Sequence, residues 1–155
     1  MKKLALIIAG TLLLAGCATS SSIEKPIEDT AFYLARFDAV WDAAIATLEK
    51  ESIPIKSIEK GKGLITTKFV NYAVGSDAHQ DLDKIAERPS IRLAIWSQVG
   101  YALTILVTPI NNMTTKVKIT AKIEAYDKNV TSNWHVCKTN KRLEDQLLEL
   151  IRSKI

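Results

Sequence analysis

Between residues 37 and 51, the apolar side chains Phe37, Val40, Trp41, Ala44, Ile45 and Leu48 recur every third or fourth position, with Asp42, Glu49 and Lys50 off the stripe. That spacing gathers them on one face of a helix. Asp38 is a candidate N-cap, and Pro54 places the helix end near Ser52. Residues 31–35 read equally as a short edge strand or an extra helical turn. The period then changes to two. Residues 53–58 and 64–70 flank a Gly-containing turn at 59–63, the pattern of a hairpin. A third β-rich segment, 91–96, is expected to turn near Val99 and Gly100 into 101–109. After Asn111 and Asn112 the chain enters 114–126. There Val117, Ile119, Ala121 and Ile123 alternate with Lys116, Lys118, Thr120, Lys122 and Glu124, so one face is buried and one is wet. Residues 134–137 are also strand-like. A closing helix over 140–151 carries the stripe Leu143, Leu147, Leu148 and Ile151, with Glu144, Asp145 and Glu149 outside it. Two striped helices and a sheet with one apolar face cover one another. The pattern predicts an α+β two-layer sandwich, an antiparallel sheet of about five strands in the order α-β-β-β-β-β-α.

Residues 74–88 have no clear period and carry Asp77, His79, Asp81 and Asp83 at alternate positions. Carboxylates with an imidazole suit a hard or borderline cation. The glycine of a calcium loop is missing, however, and Leu82 and Ile85 suggest a short helix from Asp81, in which alternate residues diverge. The segment reads as a solvated loop. Its length and polarity make it the best recognition element in the chain, with residues 75–86 expected to be dispensable for folding.

The first residues add an address to this fold. Met1-Lys2-Lys3 is followed by an apolar run from Leu4 to Leu13, then by Leu14-Ala15-Gly16-Cys17. A positive start, an apolar core and small residues are the three parts of a secretory signal. The run is about 12 residues, where a membrane span needs roughly 20. Leu14 to Cys17 resembles the bacterial lipobox at all four positions. The resemblance implies that residues 1–16 are a signal peptide and that Cys17 is acylated, palmitate included, as the first mature residue. More than one acyl chain makes such attachment stable. Ala18, where an Asp would signal inner-membrane retention, implies sorting to the outer membrane of a Gram-negative host, facing the periplasm. Residues 17–29 (CATSSSIEKPIED) then read as the lipidated N-terminus and a flexible tether. Residues 30–155 read as one domain, long enough to bury a core.

Charge and chemistry narrow the function by exclusion. The net charge of +4 includes Lys2 and Lys3 of the signal, and no Lys/Arg cluster has the footprint of a nucleic-acid binder. With Cys17 acylated, Cys137 has no partner in the chain. It reads as a buried small hydrophobe, an intermolecular disulfide or reactive thiol being the sharper alternative. The turn 59–63 (EKGKG) joins two strands and lacks the full phosphate-loop pattern. The only histidines are His79 and His135, and no Gly-x-Ser-x-Gly elbow occurs. His135 and Cys137 share a strand side, but a structural pair is the commoner arrangement. No catalytic, cofactor or metal residue is assigned, and an enzyme has no positive support. Trp41, Trp96 and Trp134 read as core anchors, with one lining a partner groove as the alternative.

The combination of Val40-Trp41-Asp42-Ala43-Ala44, Lys62-Gly63-Leu64-Ile65-Thr66-Thr67 and Leu143-Glu144-Asp145-Gln146-Leu147-Leu148 resembles helix-grip lipoprotein domains such as those of BamC, a subunit of the outer-membrane β-barrel assembly machinery. The resemblance covers residues 36–152 and implies a helix-grip fold. BamC has two such domains and a long unstructured segment that docks on a partner, whereas this chain has one domain and a short tether. Membership of that machinery and its contact residues are therefore not carried over. The expected function is an envelope interaction or assembly module, anchored in the membrane and docking an envelope protein. The alternative is a carrier that holds a lipid or small apolar ligand between helices and sheet.

Overall fold

The computed structural model describes residues 27–155. The apolar run, Cys17 and most of the tether lie outside the described residues. The elements follow the order β1 (Thr30–Tyr33), α1 (Phe37–Lys50), β2 (Ile55–Glu59), β3 (Leu64–Thr67), β4 (Val70–Val74), α2 (Ala78–Ile85), β5 (Ala86–Glu87), β6 (Trp96–Asn111), β7 (Thr114–Asp127), β8 (Asn133–Thr139) and α3 (Arg142–Arg152). The fold is α+β, with an antiparallel sheet of eight strands and three helices. The expectation of about five strands is an undercount.

The strands follow the period-two pattern but break at other places than the sequence predicts. Gly100 makes no turn. β6 runs unbroken through Val99 and Gly100, with Gly100 opposite Asn71 of β4 on one side and Glu124 of β7 on the other. Conversely, residues 91–95 form no strand of their own; β6 starts at Trp96. The long β6–β7 hairpin is the spine of the sheet. β3 and β4 share the outer edge of β6, while β1 and β8 share the outer edge of β7. Of residues 31–35, the first three belong to β1, and Leu34 and Ala35 form the bend that leads to α1.

Because β1 covers the edge of β7 only from Thr115 to Lys118 and β8 only from Ile123 to Asp127, that edge is bare between Lys118 and Ile123. Buried amides there need acceptors. Ile119 N–H donates to the Asp29 carbonyl at 2.8 Å, and Ala121 N–H to Glu144 Oε1 at 3.3 Å. Glu144 Oε2 accepts from the Thr139 hydroxyl at 3.0 Å. Glu144, expected outside the apolar stripe, is thus fully buried and plugs the gap. The remaining stripe residues, Leu143, Leu147, Leu148 and Ile151, are buried as their spacing required.

All three helices pack on one face of the sheet. Val40, Trp41, Ala44 and Leu48 of α1 meet Leu103, Ile105, Ile119 and Ile123 in a continuous core with Leu148 and Ile151. Tyr33 ties β1 to α3, its hydroxyl donating to the Leu148 carbonyl at 2.8 Å. α1 has Arg36 at its N-cap with no side-chain cap; Asp38 sits in the first turn and pairs with Lys60 at 2.8 Å.

Residues 74–88 are not a solvated loop. They complete β4 and form α2 and β5, with Ala78, Leu82, Ile85 and Ala86 buried against the sheet. The apolar spacing of Ala78, Leu82 and Ile85 was masked by the alternating acids around it.

Asp127 organises the turn between β7 and β8. Its carboxylate accepts from the amides of Ile95, Asn129, Val130 and Thr131 and from the Thr131 hydroxyl, at 2.7–3.0 Å. Burial pushes this carboxyl upward, but the Asn129, Ile95 and Thr131 donors outweigh it and hold it well below its ordinary value of 3.8. A depressed folded-state pKa stabilises above the unfolded value and ceases to as pH falls toward the folded one. Asp127→Asn is therefore expected to lower the thermal midpoint at pH 7. The deficit should shrink as pH drops below about 3.8, the unfolded carboxyl value. A deficit that stays constant from pH 7 to pH 2 would contradict this role.

Candidate functional site on the uncovered sheet face

With every helix on one side, the even-numbered residues of β7 and their neighbours face outward uncovered. Two regions differ in chemistry. Over β2, β3 and the centre of β6 the surface is small and polar, with Ser57 and Thr66 hydroxyls 2.6 Å apart beside Thr104. Toward the start of β6 it becomes aromatic. Tyr126 and Trp134 are cross-strand neighbours on β7 and β8, with ring centroids 5.6 Å apart at 63°. The Phe69 ring meets Trp134 edge-on at 5.3 Å and 85°. Edge-to-face contacts of this kind add roughly 0.5–1.5 kcal/mol beyond area burial.

Gly100 is what lets the Phe69 ring approach the sheet. A Cβ there would stand 2.3 Å from Phe69 Cζ and 2.7 Å from the Val70 carbonyl oxygen. The Phe69 ring therefore rests on bare β6 backbone, and three rings form a row across β6, β7 and β8. Phe69 remains 41% exposed and the adjacent Val136 63%. Lys122 and Glu124 pair at 3.0 Å and border the patch. Rigid, half-exposed aromatic side chains beside aliphatic surface are the composition of protein-binding hot spots.

Trp134 is thus the exception among the tryptophans expected in the core. Trp41 is buried and stacks on Phe37 at 5.6 Å, and Trp96 is buried against His135 at 5.9 Å. One signal for the patch was present in the sequence. Tyr126 falls in the wet register of β7, an aromatic where the alternation calls for a polar residue. Its partners Phe69 and Trp134 are far away in the chain, and no local pattern joins them.

The other candidates resolve into structural roles. Cys137 is buried, and its thiol donates to the His135 carbonyl at 3.5 Å. Burial pushes that thiol up to about 11, which leaves no thiolate at neutral pH. His135 Nε2 contacts the Thr131 hydroxyl at 2.6 Å, so its ring is engaged away from the sulfur. Asp81 pairs with Lys84 and Asp83 with Arg88, while His79 Nδ1 meets the Ser76 carbonyl. Among the described residues, no three His, Cys, Asp or Glu side chains converge as metal ligands. Residues 59–63 form a tight turn between β2 and β3, with Lys62 paired to Glu59 at 2.6 Å. The space between helices and sheet is filled by Leu48, Leu103, Ile105, Ile119, Ile123 and Leu148, so the carrier reading draws no support from the core.

No helix among the described residues is long and apolar enough to cross a membrane. No protein-family model matches the chain, and no curated protein matches it in sequence.

Proposed function

We propose that this chain is a non-enzymatic, lipid-anchored envelope protein that docks a protein partner through the aromatic half of its uncovered sheet face. The observation that carries the reading is the row formed by Phe69, Tyr126 and Trp134, held over Gly100 and left open to solvent beside Val136. The lipobox-like Leu14 to Cys17 supplies the anchor, and residues 17–29 the tether. Helices from both ends of the chain on one sheet face agree with the helix-grip form that the BamC resemblance implies. The mechanism is confinement: acylated Cys17 keeps the domain at the periplasmic side of the outer membrane, which raises its effective concentration for a membrane-bound partner. The pre-formed aromatic row adds little ordering cost on docking.

Trp134→Ala tests the face. A hot-spot residue contributes about 2 kcal/mol or more, so partner affinity is expected to fall at least about thirtyfold. Folding should survive, because Trp134 is only half-buried on the open side. Thr104→Ala, on the polar half, should leave affinity unchanged. Equal retention of the partner by native protein and Trp134→Ala in a quantitative pull-down would refute docking through this face.

A further inference from the structure

We infer that the tip of the β6–β7 hairpin is a second docking surface, whose partner is an anionic lipid bilayer. At this end of the sheet four large apolar side chains stand in solvent: Leu34 at 90% exposure, Met113 at 63%, Phe32 at 59% and Ile110 at 52%. Ile110 and Met113 flank the turn at Asn111 and Asn112, and β1 runs alongside with Phe32 opposite Lys116 and Tyr33 opposite Thr115. The start of α1 closes the group, since Arg36 and Asp38 line a groove with Pro109, Asn111 and Asn112.

Along the hairpin itself the charge has one sign. No Asp or Glu occurs between Glu87 and Glu124, a stretch that contains the whole hairpin tip. Of the acids brought near by other elements, Asp38 pairs with Lys60 at 2.8 Å, Glu59 with Lys62 at 2.6 Å and Asp29, beside Lys118, with Lys141 at 3.0 Å. Glu28 and α3 acids line the flank of Phe32 away from the turn. Arg36, Lys116 and Lys118 make no ion pair among the described residues and are left to face outward. Apolar side chains flanked by cations that carry no ion pair of their own suit an interface of acyl chains and anionic headgroups.

The tether permits the posture. Residues 18–29 extend at most about 40 Å from an acylated Cys17. β1 begins opposite Lys118, roughly 20 Å along β7 from the turn. The chain can therefore seat the tip on the bilayer that holds the lipid. The aromatic row, toward the other end of β6 and β7, is then held away from the membrane and open to a partner.

This inference rests on the anchored reading of Cys17, and its test separates the two. The mature lipidated protein carrying Met113→Cys is labelled with a polarity-sensitive fluorophore; Cys137 is buried and unreactive. The protein is reconstituted into phosphatidylglycerol-containing vesicles and, in parallel, into phosphatidylcholine vesicles. Val130→Cys, beyond the opposite end of β7, carries the control label. The Met113 label is expected to move to shorter wavelength and resist an aqueous quencher in the anionic vesicles only, while the Val130 label stays wet. Lys116→Gln with Lys118→Gln should lower the ratio of seated to free tip about twenty-five-fold, at a factor of about five per lysine. A Met113 label as wet as the Val130 label, or equally protected on phosphatidylcholine, overturns the assignment. Retention of protein through a high-salt wash reports the anchor separately. Protein lost in that wash contradicts the anchor, and the label read before the wash still decides the tip.

Discussion

Removal of residues 75–86 is expected to abolish cooperative thermal unfolding. The segment contains α2, whose Leu82 and Ala78 are fully buried and whose Ile85 and Ala86 are nearly so. Truncating one buried leucine to alanine costs about 2–5 kcal/mol. The deletion removes Leu82 and Ile85 together and uncovers the part of β6 beneath them. It also removes two partners of Asn140, whose amide donates to the Ile85 carbonyl at 3.1 Å and whose Nδ2 donates to the Lys84 carbonyl at 3.1 Å. Those bonds fix the start of α3. Total stability of a domain this size is about 5–15 kcal/mol, so the losses consume most or all of it. Circular dichroism against temperature should show a broad, non-sigmoidal change. A sharp transition in the deletion would make α2 an appendage and revive its reading as a recognition loop.

Gly63→Ala is expected to destabilise by about 3 kcal/mol or more. Gly63 has φ +65°, where a Cβ costs about 1–2 kcal/mol through backbone crowding. Its environment adds a harder obstacle. A Cβ there would stand 2.0 Å from the Val107 carbonyl oxygen, and that oxygen belongs to backbone of β6 that cannot swing aside. The same backbone donates Val107 N–H to the Gly63 carbonyl at 2.8 Å, so relief of the clash breaks the bond that joins the turn to the sheet. Gly61, two residues earlier, has nothing within 4 Å of a Cβ and serves as the control. Urea unfolding of the two alanine variants should separate them widely. Equal midpoints would show that the turn relaxes without strain.

These two sites mark where the sequence was legible and where it was not. A helix announces itself when its stripe has polar neighbours, as around Val40, Trp41, Ala44 and Leu48. α2 offered only Ala78, Leu82 and Ile85 among four alternating charged or imidazole side chains, and alternation drew attention to chemistry that the fold does not use. Gly63 was recognisable as a turn residue because β-rich runs flank it. Gly100 was not recognisable, because a glycine that admits an aromatic ring and a glycine that makes a turn look alike in sequence. The extra strands escaped for a related reason. β1, β4 and β5 are short edge pieces of two to five residues whose identity comes from the long strands they pair with. Glu144 shows the limit for polar groups: its burial follows from a gap between β1 and β8, which exists only after three distant segments have assembled. The aromatic row has the same origin, with only Tyr126 out of place in its local pattern.

The most direct measurement is site-specific photo-crosslinking in cells, with the photoreactive group in place of Val136 beside Trp134. It is made once in the chain with native Cys17 and once with Cys17→Ser. The account predicts a discrete envelope-protein adduct from the native form, absent with Cys17→Ser and absent when the group replaces the exposed Lys50 of α1. An adduct that forms equally without Cys17, or from Lys50 and not from Val136, would contradict an anchored module that docks through its open sheet face.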